Sequence, residues 1–326
     1  GYIRDEERPG AVTLREVLLR EWEIVQTAKE GVGNSWPLVA NPRPVNPKLD
    51  DEQRRALEAL LSSINLVSVF RGGAGTGKSF VLHELVEQLR ASGRRVVVLA
   101  PQRQQVVEME KAGFPSPSTV ANFILKRELA ERAVVVVDEA GQIGGQQMLE
   151  LMRLVRDRNA RLILSGDTRQ HGAVEASDAL LAIERHSGVR PVELHKIRRQ
   201  DPALGKDADE RTRIKLYRNA VELAAAGKLS ESFERLDKMG AVVACGLGDQ
   251  ADKLAEEYLR LAEQEASAVV VSQTWGEVHR VNSHVRDALK SKGLLGANDT
   301  TVQVLEKLDL TNAQKRDERF YPPDAV

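Results

Sequence analysis

The sequence predicts an α/β fold in which a parallel sheet is flanked by helices. Three observations carry this. Short apolar runs rich in β-branched residues alternate with stretches of helical periodicity. Each run ends in a glycine-rich or acidic turn: 66–70 before Gly72–Gly73, 133–137 before Asp138-Glu139, and 161–165 before Gly166-Asp167. The connections are short crossovers, which make the strands parallel and the connections right-handed.

Residues 1–48 read as a helical N-terminal extension ending in a linker. Apolar positions over 13–25 recur at helical spacing, with Thr13 as the expected N-cap and Trp22 as an expected core or docking residue. The linker is proline-broken at Pro42, Pro44 and Pro47. Residues 49–200 read as the first α/β domain. Its opening helix carries Asp50, Asp51 and Glu52 in its first turn, where a helix favours acids. Strands follow at 66–70, 95–100, 133–137, 161–165 and 192–195. Residues 201–326 read as part of a second domain, opening with a charged, mobile segment at 206–211. Further strands are expected at 241–245 and 268–272, and helices at 252–262 and from 277.

The chain has 326 residues, 42% hydrophobic and 29% charged, with a net charge of −1. That composition is globular, and no overall field draws nucleic acid to it; any such contact must come from local basic groups. A single cysteine, Cys245, excludes an internal disulfide and is expected to fill a buried gap. The six histidines lack ligand spacing. No apolar run would span a bilayer and no signal peptide is visible, so a cytoplasmic chain without membrane contact is expected. Gly1 in place of Met suggests a piece of a longer polypeptide.

The chemistry concentrates after the first strand. Gly72-Gly73-Ala74-Gly75-Thr76-Gly77-Lys78-Ser79 fits G-x-x-x-x-G-K-S between a strand and a helix. Glycines let backbone N–H groups of 73–77 converge on a phosphate, and the helix aims its positive end at the same anion. Lys78 supplies a point charge for the β- and γ-phosphates, and Ser79 a hydroxyl for Mg²⁺. This implies ATP and Mg²⁺ as ligands. Asp138, ending an apolar strand, suits the Mg²⁺ shell, and Glu139 suits polarisation of the attacking water. Gln170, in the turn after the fourth strand, suits sensing of the γ-phosphate at the edge where parallel sheets bind ligands. Gln53 sits where a glutamine could read adenine, or simply be solvated.

Taken together, these motifs resemble superfamily 1 DNA helicases of the RecD-like branch, most closely the helicase region of conjugative relaxase–helicases. The matching residues are Thr13 and Glu21, Gln53, the run Gly72 to Ser79, Ala100-Pro101, Ser118-Thr119, Asp138 to Gly141, Gly166-Asp167 with Gln170, Arg199-Gln200, and the stretch 309–315. The resemblance implies two RecA-like domains, with ATP between them and single-stranded DNA across their top. It implies that Lys78, Ser79, Asp138, Glu139 and Gln170 act on the first domain, and that Arg199 stabilises the transferring phosphate. Pro101, Gln102, Ser118 and Thr119 become the expected DNA contacts.

Two departures qualify the expectation. The chain stops before anything like motifs V and VI, so the second domain is expected to be incomplete and hydrolysis poor. Residues 125–132 leave little room for a strand-splitting hairpin. A monomeric helicase or translocase fragment is the leading expectation, joined to the remainder of a longer polypeptide that includes an upstream relaxase domain. A nucleotide-gated DNA-binding module with little hydrolysis is the alternative, and a P-loop ATPase acting on proteins is a third.

Overall fold

The computed structural model describes residues 2–4, 12–73, 75–167, 178–199, 201–246, 248–264, 268–272, 274–296, 298, 300 and 317–321. Two compact units divide the chain, 1–239 and 240–326.

In the first unit, β1 (Tyr2–Arg4) and β2 (Val12–Leu14) form an antiparallel pair leading into α1 (Arg15–Glu30). Then come α2 (Asp51–Leu61), β3 (Val67–Gly72), α3 (Lys78–Ala91), β4 (Val96–Ala100), α4 (Arg103–Lys111), β5 (Ser118–Thr119), α5 (Val120–Lys126) and β6 (Val134–Val137). The unit continues with α6 (Gly145–Asp157), β7 (Arg161–Gly166), α7 (Ala179–His186), β8 (Val192–Leu194), α8 (Ala208–Ala225) and α9 (Leu229–Lys238). Strands β3 to β8 make a six-stranded sheet in the order β5-β4-β6-β7-β3-β8, parallel at every pairing. This is the expected RecA-like α/β architecture.

The sheet is buried on both faces, as helical crossovers require. Alternate residues of each strand serve opposite cores. Val67, Val69, Val135, Val137, Leu162 and Leu164 face Met148 and Met152 of α6, Ile183 of α7 and Ile24 of α1. Phe70, Val134, Val136 and Ile163 face Leu57 of α2 and Leu82, Leu85 and Leu89 of α3. β3 lies between β7 and the edge strand β8, so its C-terminal end, where the glycine run begins, opens toward one side of the sheet.

Several expectations fail for identifiable reasons. Thr13 is not an N-cap: it pairs with Ile3 inside β2, and Leu14 takes the cap position without a side-chain bond. Trp22 is 61% exposed, because it stands about 200° around α1 from fully buried Ile24. The charged stretch 206–211 opens α8 instead of staying irregular, as Asp207 accepts a bond from the Glu210 N–H.

The second unit shows α10 (Gln250–Glu263) and α11 (Trp275–Ser291), each burying one face through Ala255, Leu259 and Val281. The expected strands 241–245 and 268–272 have no ladder partner among the described residues, and Val243, Val269 and Val271 are exposed. A strand exists only when a neighbour takes its hydrogen bonds, and β-branched composition alone does not supply one. Cys245 is exposed there, so it fills no buried gap. The stretch 309–315 lies outside the described residues.

Candidate functional site

The glycine run is shaped by backbone sterics. Gly75 and Gly77 hold φ of +76° and +83°, in the left-handed region that L-residues with a Cβ avoid. A Cβ on Gly77 would lie 2.5 Å from Gln53 Nε2, and one on Gly75 would lie 2.7 Å from Arg199 Cβ. Thr76 folds back, its hydroxyl donating to the Gly73 carbonyl at 2.9 Å. Gly77 then caps α3, so Lys78 and Ser79 form its first turn.

A cavity of about 440 Å³ lies over this run, lined by Gly73, Gly75, Gly77, Lys78, Ser79, Glu139, Arg198 and Arg199. Most sequence-predicted residues on the phosphate side therefore meet in one place. The Lys78 ammonium is buried and its Nζ has no hydrogen-bond partner among the described residues. Its counter-charge is Glu139 Oε1 at 3.8 Å, an ion-pair distance too long for a hydrogen bond. An unsatisfied buried donor is costly. An ammonium without a hydrogen bond at the mouth of a helix, beside left-handed glycines, fits a phosphate group.

Glu139 itself sits in a left-handed conformation, φ +52°, which turns the chain sharply after β6. Its carboxyl is held above its ordinary pKa. Burial is the main cause; Lys78 opposes it, while Asp138 and Asp167 reinforce it. Asp138 Oδ1 accepts bonds from the Ser165 hydroxyl at 2.8 Å and from the Glu139 N–H at 3.0 Å. Ser165 is fully buried at the end of β7, and its hydroxyl fixes the carboxylate's orientation. Sequence reasoning named Asp167 only as part of the Gly166-Asp167 match and missed Ser165, although both sit at a strand's C-terminal end, where such residues are expected.

Gln53 is buried and not solvated. It completes a capping box with Asp50: its Oε1 accepts from the Asp50 N–H and its own N–H donates back to Asp50. Sequence reasoning also missed Arg198. Its guanidinium bonds to Asp50 at 2.6–2.9 Å, to Glu52 at 2.8 Å and to the Thr76 carbonyl at 2.7 Å. Burial opposes ionisation of Asp50 and Glu52, yet backbone N–H bonds and Arg198 keep both carboxyls below their ordinary values. The backbone N–H groups of Arg198 and Arg199 both donate to the Gly75 carbonyl, at 2.6 and 3.0 Å. The Arg199 side chain, by contrast, is exposed and makes no hydrogen bond or ion pair among the described residues. Ala74 and Gln170 lie outside the described residues.

The expected DNA contacts gather at the same sheet edge. Ala100 pairs with Thr119 in register, so the Pro101-Gln102 turn that leaves β4 begins beside Thr119, the last residue of β5. Thr119 caps α5, accepting from the Asn122 N–H, and Asn122 Nδ2 donates to the Ser118 hydroxyl. Gln102 caps α4 and donates to Gln142 Oε1 at 2.9 Å. Gln142 belongs to the short 3₁₀ turn that follows Glu139. A hydrogen bond thus joins the turn after β4 to the segment that follows the acidic pair.

A family model described as AAA domain matches residues 48–246. The probable conjugal transfer protein TraA of Sinorhizobium fredii (strain NBRC 101917 / NGR234) is 25% identical over 285 residues, covering 86% of this chain and 24% of its own length. Conjugal transfer protein TraA of Agrobacterium fabrum is 27% identical over 309 residues, 90% of this chain and 26% of its own. Multifunctional conjugation protein TraI of Escherichia coli K12 is 28% identical over 353 residues, 94% of this chain and 20% of its own. The chain spans a fifth to a quarter of the length of these relatives. The resemblance to the helicase region of conjugative relaxase–helicases, read from the motifs, is shown by these matches.

Proposed function

We propose that this chain, which belongs to the AAA domain family, binds ATP with Mg²⁺ at its glycine run and couples hydrolysis to movement along single-stranded DNA. The observation that carries the reading is the buried Lys78 ammonium, which makes no hydrogen bond among the described residues and is balanced only by Glu139 at 3.8 Å. In this reading the chain is the motor part of a longer conjugation protein, acts as a monomer in the cytoplasm, and uses 49–200 as its ATP-binding domain. Among the described residues, no helix is long and apolar enough to cross a membrane.

Each residue then has a task. The backbone N–H groups of Gly73, Ala74, Gly75, Thr76 and Gly77 cradle phosphate oxygens, and Lys78 balances their charge. Ser79 and Asp138 hold the metal, with Ser165 keeping the Asp138 carboxylate oriented. When bound, magnesium supplies charge neutralisation at the phosphoryl group. Glu139 orients and deprotonates the attacking water, and Gln170 reports on the γ-phosphate. Arg199 reaches over the glycine run toward developing negative charge. Gln53, packed on Gly77, borders the adenine side. Pro101, Gln102, Ser118 and Thr119 contact the DNA backbone, and the Gln102–Gln142 bond relays strain between strand and acidic pair.

The test is steady-state hydrolysis with and without an oligo-dT strand. Stimulation of several-fold is expected. Turnover that ignores DNA in the longer parent protein would sink the motor reading, and DNA affinity without any hydrolysis would leave only a nucleotide-gated binding module.

The raised Glu139 pKa adds a pH dependence. A base must be ionised to work, so hydrolysis should rise with pH through a limb lying above the ordinary carboxylate range. Asp167 helps raise that pKa, so Asp167→Asn should move the limb to lower pH. Initial rates between roughly pH 4 and 8 provide the check; a limb that stays in place refutes the assignment of Glu139 as the base.

A further inference from the structure

The edge of the sheet opposite the glycine run is strongly basic. Two adjoining hollows, of about 800 and 630 Å³, run across the N-terminal ends of β4, β6, β7 and β3. The first is lined by Arg90, Arg94, Arg95, Arg127 and Arg158; the second by Arg94, Arg132, Arg156 and Arg161. Arg94 is common to both, which leaves eight arginines, against Glu128 in the first and Glu30 in the second as lining acids. On a chain of net charge −1 this is a marked local asymmetry.

Some of these arginines have an ordinary explanation. Arg90, Arg156 and Arg158 stand at the ends of α3 and α6, and Arg127 caps α5; helix C-termini favour cations. Arg95, Arg132 and Arg161 flank strands instead, where no dipole calls for them. Among the described residues, only Arg90 of the eight has a carboxylate within 4 Å, that of Glu87.

Arg161 points most directly to a ligand. It is 7% exposed, and its Nε has no hydrogen-bond partner among the described residues. Its other two nitrogens donate to the carbonyls of Trp36 and Ser63, each at 2.8 Å. Burial, with the Arg94 charge beside it, pulls its pKa down to about 10. A buried guanidinium with a like charge near it and no acid is stabilised by an incoming anion. The residue it holds, Trp36, is 85% exposed on the rim of the second hollow. An indole left in water beside a row of arginines is the pairing that binds single strands: cations for phosphates, an aromatic face for a base.

We propose that this groove is a second track for single-stranded DNA, on the sheet edge opposite the nucleotide cavity, with Trp36 as a stacking platform. A strand held here would lie apart from the turns at Gln102 and Thr119, so the chain would grip DNA at both ends of its sheet. The proposal shares its ligand with the motor reading, and the experiment separates the two.

The measurement is fluorescence anisotropy of a labelled dT20 strand titrated with the chain over a range of NaCl concentrations. Three variants are compared with the parent: the triple Arg95→Gln/Arg127→Gln/Arg158→Gln, Trp36→Ala, and the opposite-edge double Gln102→Ala/Thr119→Ala. Arg94 and Arg161 are left intact because they hold backbone carbonyls. The triple variant should bind about 10- to 100-fold more weakly at low salt, with the log–log salt slope reduced by about 2. Trp36→Ala should weaken binding roughly 5- to 100-fold with the slope unchanged. Both should keep the parent's thermal midpoint and its affinity for a fluorescent ATP analogue. Unchanged dT20 affinity and slope in the triple variant overturn the second track, and a loss confined to the Gln102/Thr119 double does so while leaving the motor reading standing. If the parent does not bind dT20 at all, both readings fall. If a labelled oligoglutamate peptide binds more tightly than dT20 and loses that affinity in the triple variant, the groove serves an acidic protein and the DNA assignment is overturned.

Discussion

Replacing Lys78 with alanine should reduce ATP hydrolysis by roughly 10²–10³-fold or more, the loss that follows removal of a fixed positive donor at a developing charge. The same change should leave the fold intact. Lys78 Nζ is buried without a hydrogen bond and 3.8 Å from its acid. Its desolvation is poorly compensated in the unliganded chain, so deleting it removes a cost as well as an attraction. Glu139 loses a charge that now lowers its pKa. It should therefore shift further upward, which compounds the loss of rate. Lys78→Arg should not rescue, because a planar fork is bulkier than the point charge that the space over Gly77 admits. Steady-state hydrolysis and calorimetry on the same preparations decide the matter. A variant that keeps more than about a tenth of parental turnover would contradict the placement of the transferring phosphate at this ammonium, since a tenth is only about 1.4 kcal/mol of barrier.

That contrast between rate and stability explains which parts of the site were legible in the sequence. The glycine run could be read because each requirement is local: left-handed backbone at Gly75 and Gly77, a helix opening at Lys78, a strand just before. The sheet could be read because a parallel strand buried on both faces is a continuous apolar run, as in 134–137 and 161–166. What escaped depends on long-range partners. Ser165 reaches Asp138 from 27 residues away, and only the register of β6 beside β7 brings them together. The core placement of Trp22 and the buried one of Cys245 failed because an apolar side chain does not itself say which face of an element is covered. The valines at 243, 269 and 271 show the same limit for strands. The arginine groove was invisible for a related reason. Its members are scattered from 90 to 161, and the sheet alone collects them on one edge.

The adjacent arginines 198 and 199 should prove opposite in kind. Arg198 is 18% exposed and clamps Asp50 and Glu52, the N-cap and first turn of α2, to the Thr76 carbonyl of the glycine run. Arg198→Ala strands two partly buried carboxylates. Exposed ion pairs are worth about 1 kcal/mol or less and breaking a buried one costs about 3–5, so a loss of about 2–3 kcal/mol is expected for this half-buried clamp. That corresponds to a drop of roughly 4–10 °C in thermal midpoint for a unit of this size. The loss should also depend on pH. Asp50 and Glu52 have folded-state pKa values below their ordinary ones. Their stabilisation is complete above the ordinary carboxylate pKa and fades as acidification passes through the lowered values, so the gap between parent and variant should close in acid. Arg199 has none of these bonds, and its exposed side chain borders the cavity. Arg199→Ala should leave the midpoint where it is and cut hydrolysis by about 10³-fold, the lower end for loss of an arginine finger. Midpoints at neutral and acid pH, together with turnover at saturating ATP, separate the pair. If Arg199→Ala destabilises while Arg198→Ala only slows turnover, the two assignments must be exchanged, and the clamp on the glycine run would have to be sought elsewhere.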